Sequence, residues 1–230
     1  RRLLRSQPRL GEQIEIHSME DWAKRLFETN FAKSQLATPE MLDSFISESF
    51  DKVDGHSFHL PFVKAEWAQI VDAWQLQNWD DYRDFKRLGR KTRILKTHRE
   101  SLWKIFSKVK AKLAEKNLIT PAERFTKLSS HFIDKRSPYD FMVVDEAQDI
   151  DVSQLKLLAA LSGNRKNSLF LCGDLGQRIF QSPFSWKALG VNIQGRSSTL
   201  KINYRTSHQI RTQADMLLDT ELSDLDGNTE

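Results

Sequence analysis

The chain has 230 residues, with 35 Lys and Arg against 31 Asp and Glu, a net charge of +4 and a pI near 9.1. That length suits one large domain or two small ones, and 39% hydrophobic with 29% charged content suits a soluble globular protein. No run of about twenty apolar residues is present to span a bilayer, the single Cys172 excludes an internal disulfide and fits a reducing cytoplasm, and the mild positive balance hints at a polyanionic partner.

The N-terminal Arg1-Arg2-Leu3-Leu4-Arg5 has no signal-peptide core and no initiating Met, so the chain is expected to be a piece of a longer protein. In residues 1–30, Ile14 and Ile16 alternate like a short strand. Ser18 is placed to cap a helix, with Asp21 three residues on, and Trp22, Ala23, Leu26 and Phe27 fall on one face.

Residues 31–130 read as helix throughout, with no strand signal. Thr38-Pro39-Glu40 starts one helix, carrying Met41, Leu42, Phe45, Ile46 and Phe50 at helical spacing. Asp54-Gly55 marks a turn. Glu66 to Leu76 places Trp67, Ile70, Val71 and Trp74 on an amphipathic helix. Asn78 to Leu88 does the same with Trp79, Tyr82, Phe85 and Leu88, and Gly89 ends it. Arg99 to Leu113 carries Leu102, Trp103, Phe106, Val109 and Leu113. Thr120-Pro121-Ala122-Glu123 opens a further helix with Phe125 and Leu128 inward. Basic residues crowd the second half, from Arg83, Lys86, Arg87, Arg90, Lys91 and Arg93 to Lys96, Arg99, Lys104, Lys108, Lys110 and Lys112. Such a stripe is either a solvated helix face or a contact for nucleic-acid phosphates.

From Tyr139 the pattern changes. Phe141-Met142-Val143-Val144 reads as a short buried strand that ends in Asp145-Glu146 with Gln148 and Asp149, which either join the acids at the strand end or only cap the helix that follows. That helix holds Leu155, Leu157, Leu158 and Leu161 and closes at Gly163-Asn164. Ser168 to Cys172 is a second strand, ending at Gly173-Asp174, and Thr199 to Ile202 a third, ending at Asn203-Tyr204-Arg205. Strand, helix, strand with short links implies parallel pairing. A helix is expected over 207–218 and a polar tail from Leu222. Parallel strands would bring the three ends to one edge of the sheet, where ligands of open α/β folds bind. Carboxylates, an amide and a guanidinium gathered there suit phosphoryl transfer from a nucleoside triphosphate.

The stretch Val143-Val144-Asp145-Glu146-Ala147-Gln148-Asp149 resembles motif II of the UvrD/Rep-like superfamily I DNA helicases. Gly173-Asp174-Leu175-Gly176-Gln177-Arg178-Ile179-Phe180 resembles their motif III, Leu200-Lys201-Ile202-Asn203-Tyr204-Arg205-Thr206-Ser207 their motif IV, and Ile16-His17-Ser18 part of their motif Ib. The resemblance implies an α/β fold, with part of a P-loop NTPase (RecA-like) parallel sheet and a large all-helical insertion. In that division 1–30 begins motor subdomain 1A, 31–130 is the 1B-like insertion, 131–205 returns to 1A, and 206–230 begins the second motor domain or a linker. It further implies ATP and Mg²⁺ as cofactors and single-stranded and duplex DNA as partners. The activity implied is that of a cytoplasmic helicase, ATP-dependent and associated with DNA repair.

Carried over by residue, the resemblance implies that Asp145 holds Mg²⁺ with Glu146 beside it, and that Glu146 is the general base toward the attacking water. It implies that Gln177 senses the γ-phosphate, Tyr204 stacks on adenine and Arg205 neutralises γ-phosphate charge. His17, Ser18, Phe180 and either Phe184 or Trp186 would face DNA. The family's aromatic and Trp are separated by one residue, whereas Phe180 and Trp186 here stand further apart, and Glu15 stands where the family often has Thr. No G-x-x-x-x-G-K-[ST] string occurs in the chain; Gly89-Arg90-Lys91-Thr92 has Asp84 where the first Gly is needed. The chain is therefore expected to be a fragment, inactive alone as an ATPase, that depends on the rest of the helicase and has an open sheet edge through which copies could self-associate. A non-catalytic nucleic-acid-binding module on the same fold, or the motor of a helicase–nuclease, are the alternatives.

Overall fold

The computed structural model describes residues 8–32, 34–87, 94–163, 165–174, 184–198, 200, 204 and 207–216. The chain divides into two compact units, Arg1–Lys33 and Ser34–Glu230.

The first unit holds helices α1 (Pro8–Glu12) and α2 (Met19–Asn30). Ser18 starts α2 as expected: its backbone is extended and its Oγ accepts from the Asp21 amide at 3.1 Å. Glu20 and Asp21 lie in the first turn, where the helix dipole favours acids. Trp22, Ala23, Leu26 and Phe27 are buried, and Phe31, just past the helix, stacks on Phe27 with ring centroids 4.6 Å apart. The strand expected at Ile14 and Ile16 does not form. Residues 14–18 have no regular structure and Ile16 is 81% exposed; no strand among the described residues pairs with them to reward the alternation.

The second unit begins with β1 (Gln35–Leu36), which pairs in parallel with β2 (Leu118–Ile119), Gln35 opposite Leu118. The all-helical reading of 31–130 is thus corrected. Each strand is only two residues long, too short to show alternation, and their partners lie far apart in sequence. Both strands run into the same device: Thr38 and Thr120 cap α3 (Pro39–Asp51) and α7 (Pro121–Phe132), each with Pro in the first turn.

Between them lie α4 (Leu60–Glu66), α5 (Trp79–Asp84) and α6 (Lys96–Glu115). Here the expected boundaries also shift. α4 begins at Leu60 on Pro61 and continues as a π-helical stretch over Trp67–Asp72, which buries Trp67, Ile70 and Val71. α5 is capped by an Asn78–Asp81 capping box and ends at Asp84, since Phe85 is extended; Leu88 and Gly89 lie outside the described residues. The core of this block is built from Phe45, Ile46, Val63, Trp67, Tyr82, Leu102, Phe106 and Val109 among others.

Much of the basic stripe is used within the fold. Arg87 donates to the buried Glu66 at 2.5 Å. Arg99 donates to the carbonyls of Tyr82 at 3.2 Å and Arg83 at 2.5 Å. Lys110 reaches the Leu76 carbonyl at 3.0 Å, and Lys112 pairs with Glu48 at 2.7 Å. Lys86, Lys96, Lys104 and Lys108 are exposed, and Arg90, Lys91 and Arg93 lie outside the described residues.

At the end of the π-helical stretch, Asp72 accepts from Thr120 Oγ1 at 2.6 Å and from Gln75 Nε2 at 2.7 Å. Burial pushes its carboxyl up to about 6 from an ordinary 3.8, against the pull of those two donors and of Lys110. The native state therefore binds this proton more tightly than the unfolded state. Asp72 adds stability as pH falls through about 6 toward about 4, and that contribution is lost as pH rises. Asp72→Asn removes this dependence, so the stability of the variant relative to the parent should increase from about pH 4 to about pH 7. Urea denaturation across that range checks it; parallel curves for the two proteins would sink the assignment.

The last part is a βαβ unit. β3 (Met142–Val144) and β4 (Leu169–Leu171) are parallel, in register Met142↔Leu169, Val143↔Phe170 and Val144↔Leu171, and α8 (Val152–Ser162) joins them. Asp151 caps α8 in a capping box with Gln154, so Gln148 and Asp149 do not serve as its cap. α8 packs along α7, where Ser129 Oγ donates to the Lys156 carbonyl at 3.1 Å. β3 is not buried on both faces as expected. Phe141, Val143 and Phe170 are 68%, 74% and 60% exposed, while Met142, Val144 and Leu169 alternate with them as half-buried residues. Parallel strands are buried on both faces only where helices cover both. The strand expected at Thr199–Ile202 lies mostly outside the described residues, and α9 (His208–Asp215) stands within the helix expected over 207–218.

Candidate active site

The carboxyl ends of β3 and β4 are locked together first by backbone. Cys172 N donates to the Val144 carbonyl at 2.8 Å, and Ala147 N donates to the Cys172 carbonyl at 2.7 Å. Between those two bonds the chain reverses through Asp145 and Glu146. Asp145 Oδ1 accepts from the Glu146 amide at 3.0 Å. Glu146 is left-handed, φ 52° and ψ 45°, a conformation that costs a non-glycine residue roughly 1–2 kcal/mol. Strain of this kind at a strand end is a mark of functional sites. A single 3₁₀ turn, Ala147–Asp149, follows.

Both acids are exposed at this edge, whereas Gln148 is buried, 6% exposed. Its amide works in two directions. Nε2 donates to Glu146 Oε2 at 2.6 Å, and Oε1 accepts from the Asp174 amide at 3.1 Å. Gly173 permits the approach: a Cβ built there would lie 2.6 Å from Gln148 Oε1 and 3.1 Å from the amide nitrogens of Ala147 and Gln148. Of the two expectations for Gln148, the strand end and not the helix cap is where it stands, although spacing does not foretell its bond to Asp174. The available signal was an amide two residues past the acid, on the turn where the chain doubles back.

The donor set fits a hard cation. Asp145 and Glu146 offer carboxylate oxygens at an open edge, and Mg²⁺ takes one or two carboxylates and completes its shell with water and phosphate oxygens. Among the described residues no group of three or more His, Cys, Asp or Glu is placed to hold a metal ion.

The other expected site residues are scattered. Tyr204 is 91% exposed. Gln177, Phe180 and Arg205 lie outside the described residues. Phe184 and Trp186 are buried, 2% and 6% exposed, with their rings stacked 6.5 Å apart at 17°. Phe184 also lines a cleft of about 510 Å³ together with Trp74, Phe85 and Asp72. His17 and Ser18 belong to the first unit. His17 Nε2 lies 3.3 Å from Glu15, whose carboxyl the neighbouring Arg25 holds below its usual value, and Ser18 is taken up as the cap of α2.

A mixed, helix-rich fold with small parallel sheets, and carboxylates at the carboxyl end of one of them, is the setting of a helicase N-terminal domain. The chain belongs to the UvrD/REP helicase N-terminal domain family, whose model matches residues 9–185. A search of curated proteins returned no match. No helix among the described residues is long and apolar enough to cross a membrane.

Proposed function

We propose that the chain is the inner part of a RecA-like motor domain of an ATP-dependent DNA translocase and helicase, with residues 31–130 as its 1B-like insertion. The observation that carries this reading is the acid turn. Asp145 and Glu146 leave β3 on a strained reversal and are tied to the end of the parallel neighbour β4. Bound MgATP would supply the phosphoanhydride whose hydrolysis drives movement. Asp145 would hold the metal with Glu146 beside it, and the Glu146 carboxylate would orient the attacking water and receive its proton. Gln177 and Arg205 are assigned to the γ-phosphate. Tyr204, exposed as it is, offers a ring face to adenine. His17, Ser18 and the segment holding Phe180, Phe184 and Trp186 are assigned to DNA; Phe184 and Trp186 would have to leave their packed positions to meet a base. Self-association of copies through the open edges of the β3–β4 sheet is part of the same reading.

Without the Gly-rich string and its Lys, this chain by itself is expected to release phosphate at background rate, even with saturating single-stranded DNA. Turnover that disappears on Glu146→Gln would overturn that expectation. DNA contact is tested by fluorescence anisotropy with a labelled single-stranded oligonucleotide across a salt series. Micromolar or tighter binding that weakens steeply with salt supports the reading, because phosphate contacts release counterions. Absence of binding at low salt would remove DNA contact from this chain and assign the exposed lysines to solvent.

A further inference from the structure

We propose that Gln148 is a positioning residue that ties the Glu146 carboxylate to the end of β4, so that movement of the Gly173–Asp174 backbone is transmitted to Glu146. The proposal rests on reading Glu146 as the base.

The chemistry of the two partners selects the residue. A carboxylate only accepts hydrogen bonds and a backbone N–H only donates them, so a side chain that bridges the two must donate at one atom and accept at another. A neutral amide does this at the observed spacing, 2.6 Å to Glu146 Oε2 and 3.1 Å from Asp174 N. A carboxylate at position 148 would keep the Asp174 bond and repel Glu146. An apolar side chain would lose both. Burial of Gln148 limits the water that could otherwise take the place of its amide in the bridge.

The surroundings make the bridge a coupling device. The ladder bonds between Val144, Cys172 and Ala147 hold the strand ends in register but leave the Glu146 side chain free to rotate. Among the described residues, the Gln148 amide is what ties that carboxylate to the end of β4. A Cβ at position 173 would stand 2.6 Å from Gln148 Oε1, so glycine is what leaves room for the bridge beside the β4 end.

The test uses the 230-residue chain, without nucleotide or DNA, and nuclear magnetic resonance. In the parent, the Gln148 Nε2 proton facing Glu146 should lie downfield and exchange slowly. Glu146→Ala should move the Asp174 amide resonance, and in a Gln148→Met background the same substitution should move it several-fold less. Free-amide exchange at both Nε2 protons, or an Asp174 shift of equal size in the two backgrounds, would overturn the proposal. If Gln148→Met does not fold, the parent's Nε2 protons decide alone. Since neither readout involves ligand, a failed DNA or nucleotide experiment leaves this result standing, and a missing relay leaves the functional reading standing.

Discussion

Glu66→Ala is expected to lower stability by about 3–5 kcal/mol, the cost of leaving a buried charge without its partner. Glu66 has no exposed surface, and the Arg87 side chain is only 6% exposed. The carboxylate accepts from Arg87 at 2.5 Å and from the Tyr82 hydroxyl at 3.0 Å. Burial and the adjacent carboxylate push the Tyr82 hydroxyl up, so it stays a donor at any working pH. Removing Glu66 takes the carboxylate away from a buried guanidinium and a buried phenol. Tyr82→Phe removes one donor and leaves the ion pair, so it should cost less, about 1.5–3 kcal/mol. Replacing Glu66 and Arg87 together by Met should recover much of the loss, because the stranded charge goes with its partner. Urea denaturation midpoints at constant slope check all three. A Glu66→Ala cost below about 1 kcal/mol would mean that the cluster is solvated in solution.

That cluster also bears on how basic side chains are read. Arg83, Arg87, Arg99, Lys110 and Lys112 contribute to the positive stripe that suggested phosphate contacts, yet each is engaged by a carboxylate or a carbonyl of the chain itself. Charge counted along a sequence does not separate cations that fasten a fold from cations that face solvent. The candidates for DNA contact in this block reduce, among the described residues, to Lys86, Lys96, Lys104 and Lys108.

Local chemistry was readable where the signal is local. Ser18, Thr38 and Thr120 all cap the helices they were expected to cap, because the cap and the first-turn acid, and for Thr38 and Thr120 also the Pro, lie within four residues of one another. The end of β3 was readable for the same reason: apolar β-branched residues stop at two carboxylates. Features created by distant partners were not. β1 and β2 exist only because each finds the other. The π-helical stretch at Trp67–Asp72 leaves the apolar spacing looking helical, since its wider turn still buries Ile70 and Val71. The resemblance implied base stacking for either Phe184 or Trp186; that both are buried depends on what packs over them, which no spacing encodes. The bond of Gln148 to Asp174 was not readable, because it reaches across the sheet.

Gly173→Ala is expected to destabilise the chain by about 1–3 kcal/mol, the usual range for a side chain forced into filled space. Glycine is not needed there for backbone freedom, since its φ lies outside the left-handed region. On backbone grounds alone alanine should stabilise, by about 0.4–1 kcal/mol, through a stiffer unfolded chain. Steric closeness decides the sign. The new methyl would meet Gln148 Oε1 at 2.6 Å, which a side chain can relieve by rotating, and the Ala147 and Gln148 amide nitrogens at 3.1 Å, which belong to the strained turn and can yield only if Glu146 moves. The substitution should therefore break the Asp174–Gln148 bond and displace the Glu146 carboxylate, with loss of exchange protection at the Asp174 amide. Combining it with Gln148→Ala should relieve only part of the clash, since the backbone contacts remain. A stable Gly173→Ala variant with a fully protected Asp174 amide would show that the two strand ends stand further apart than this, and that the carboxyl edge of the sheet is looser than a site positioning its base through Gln148 requires.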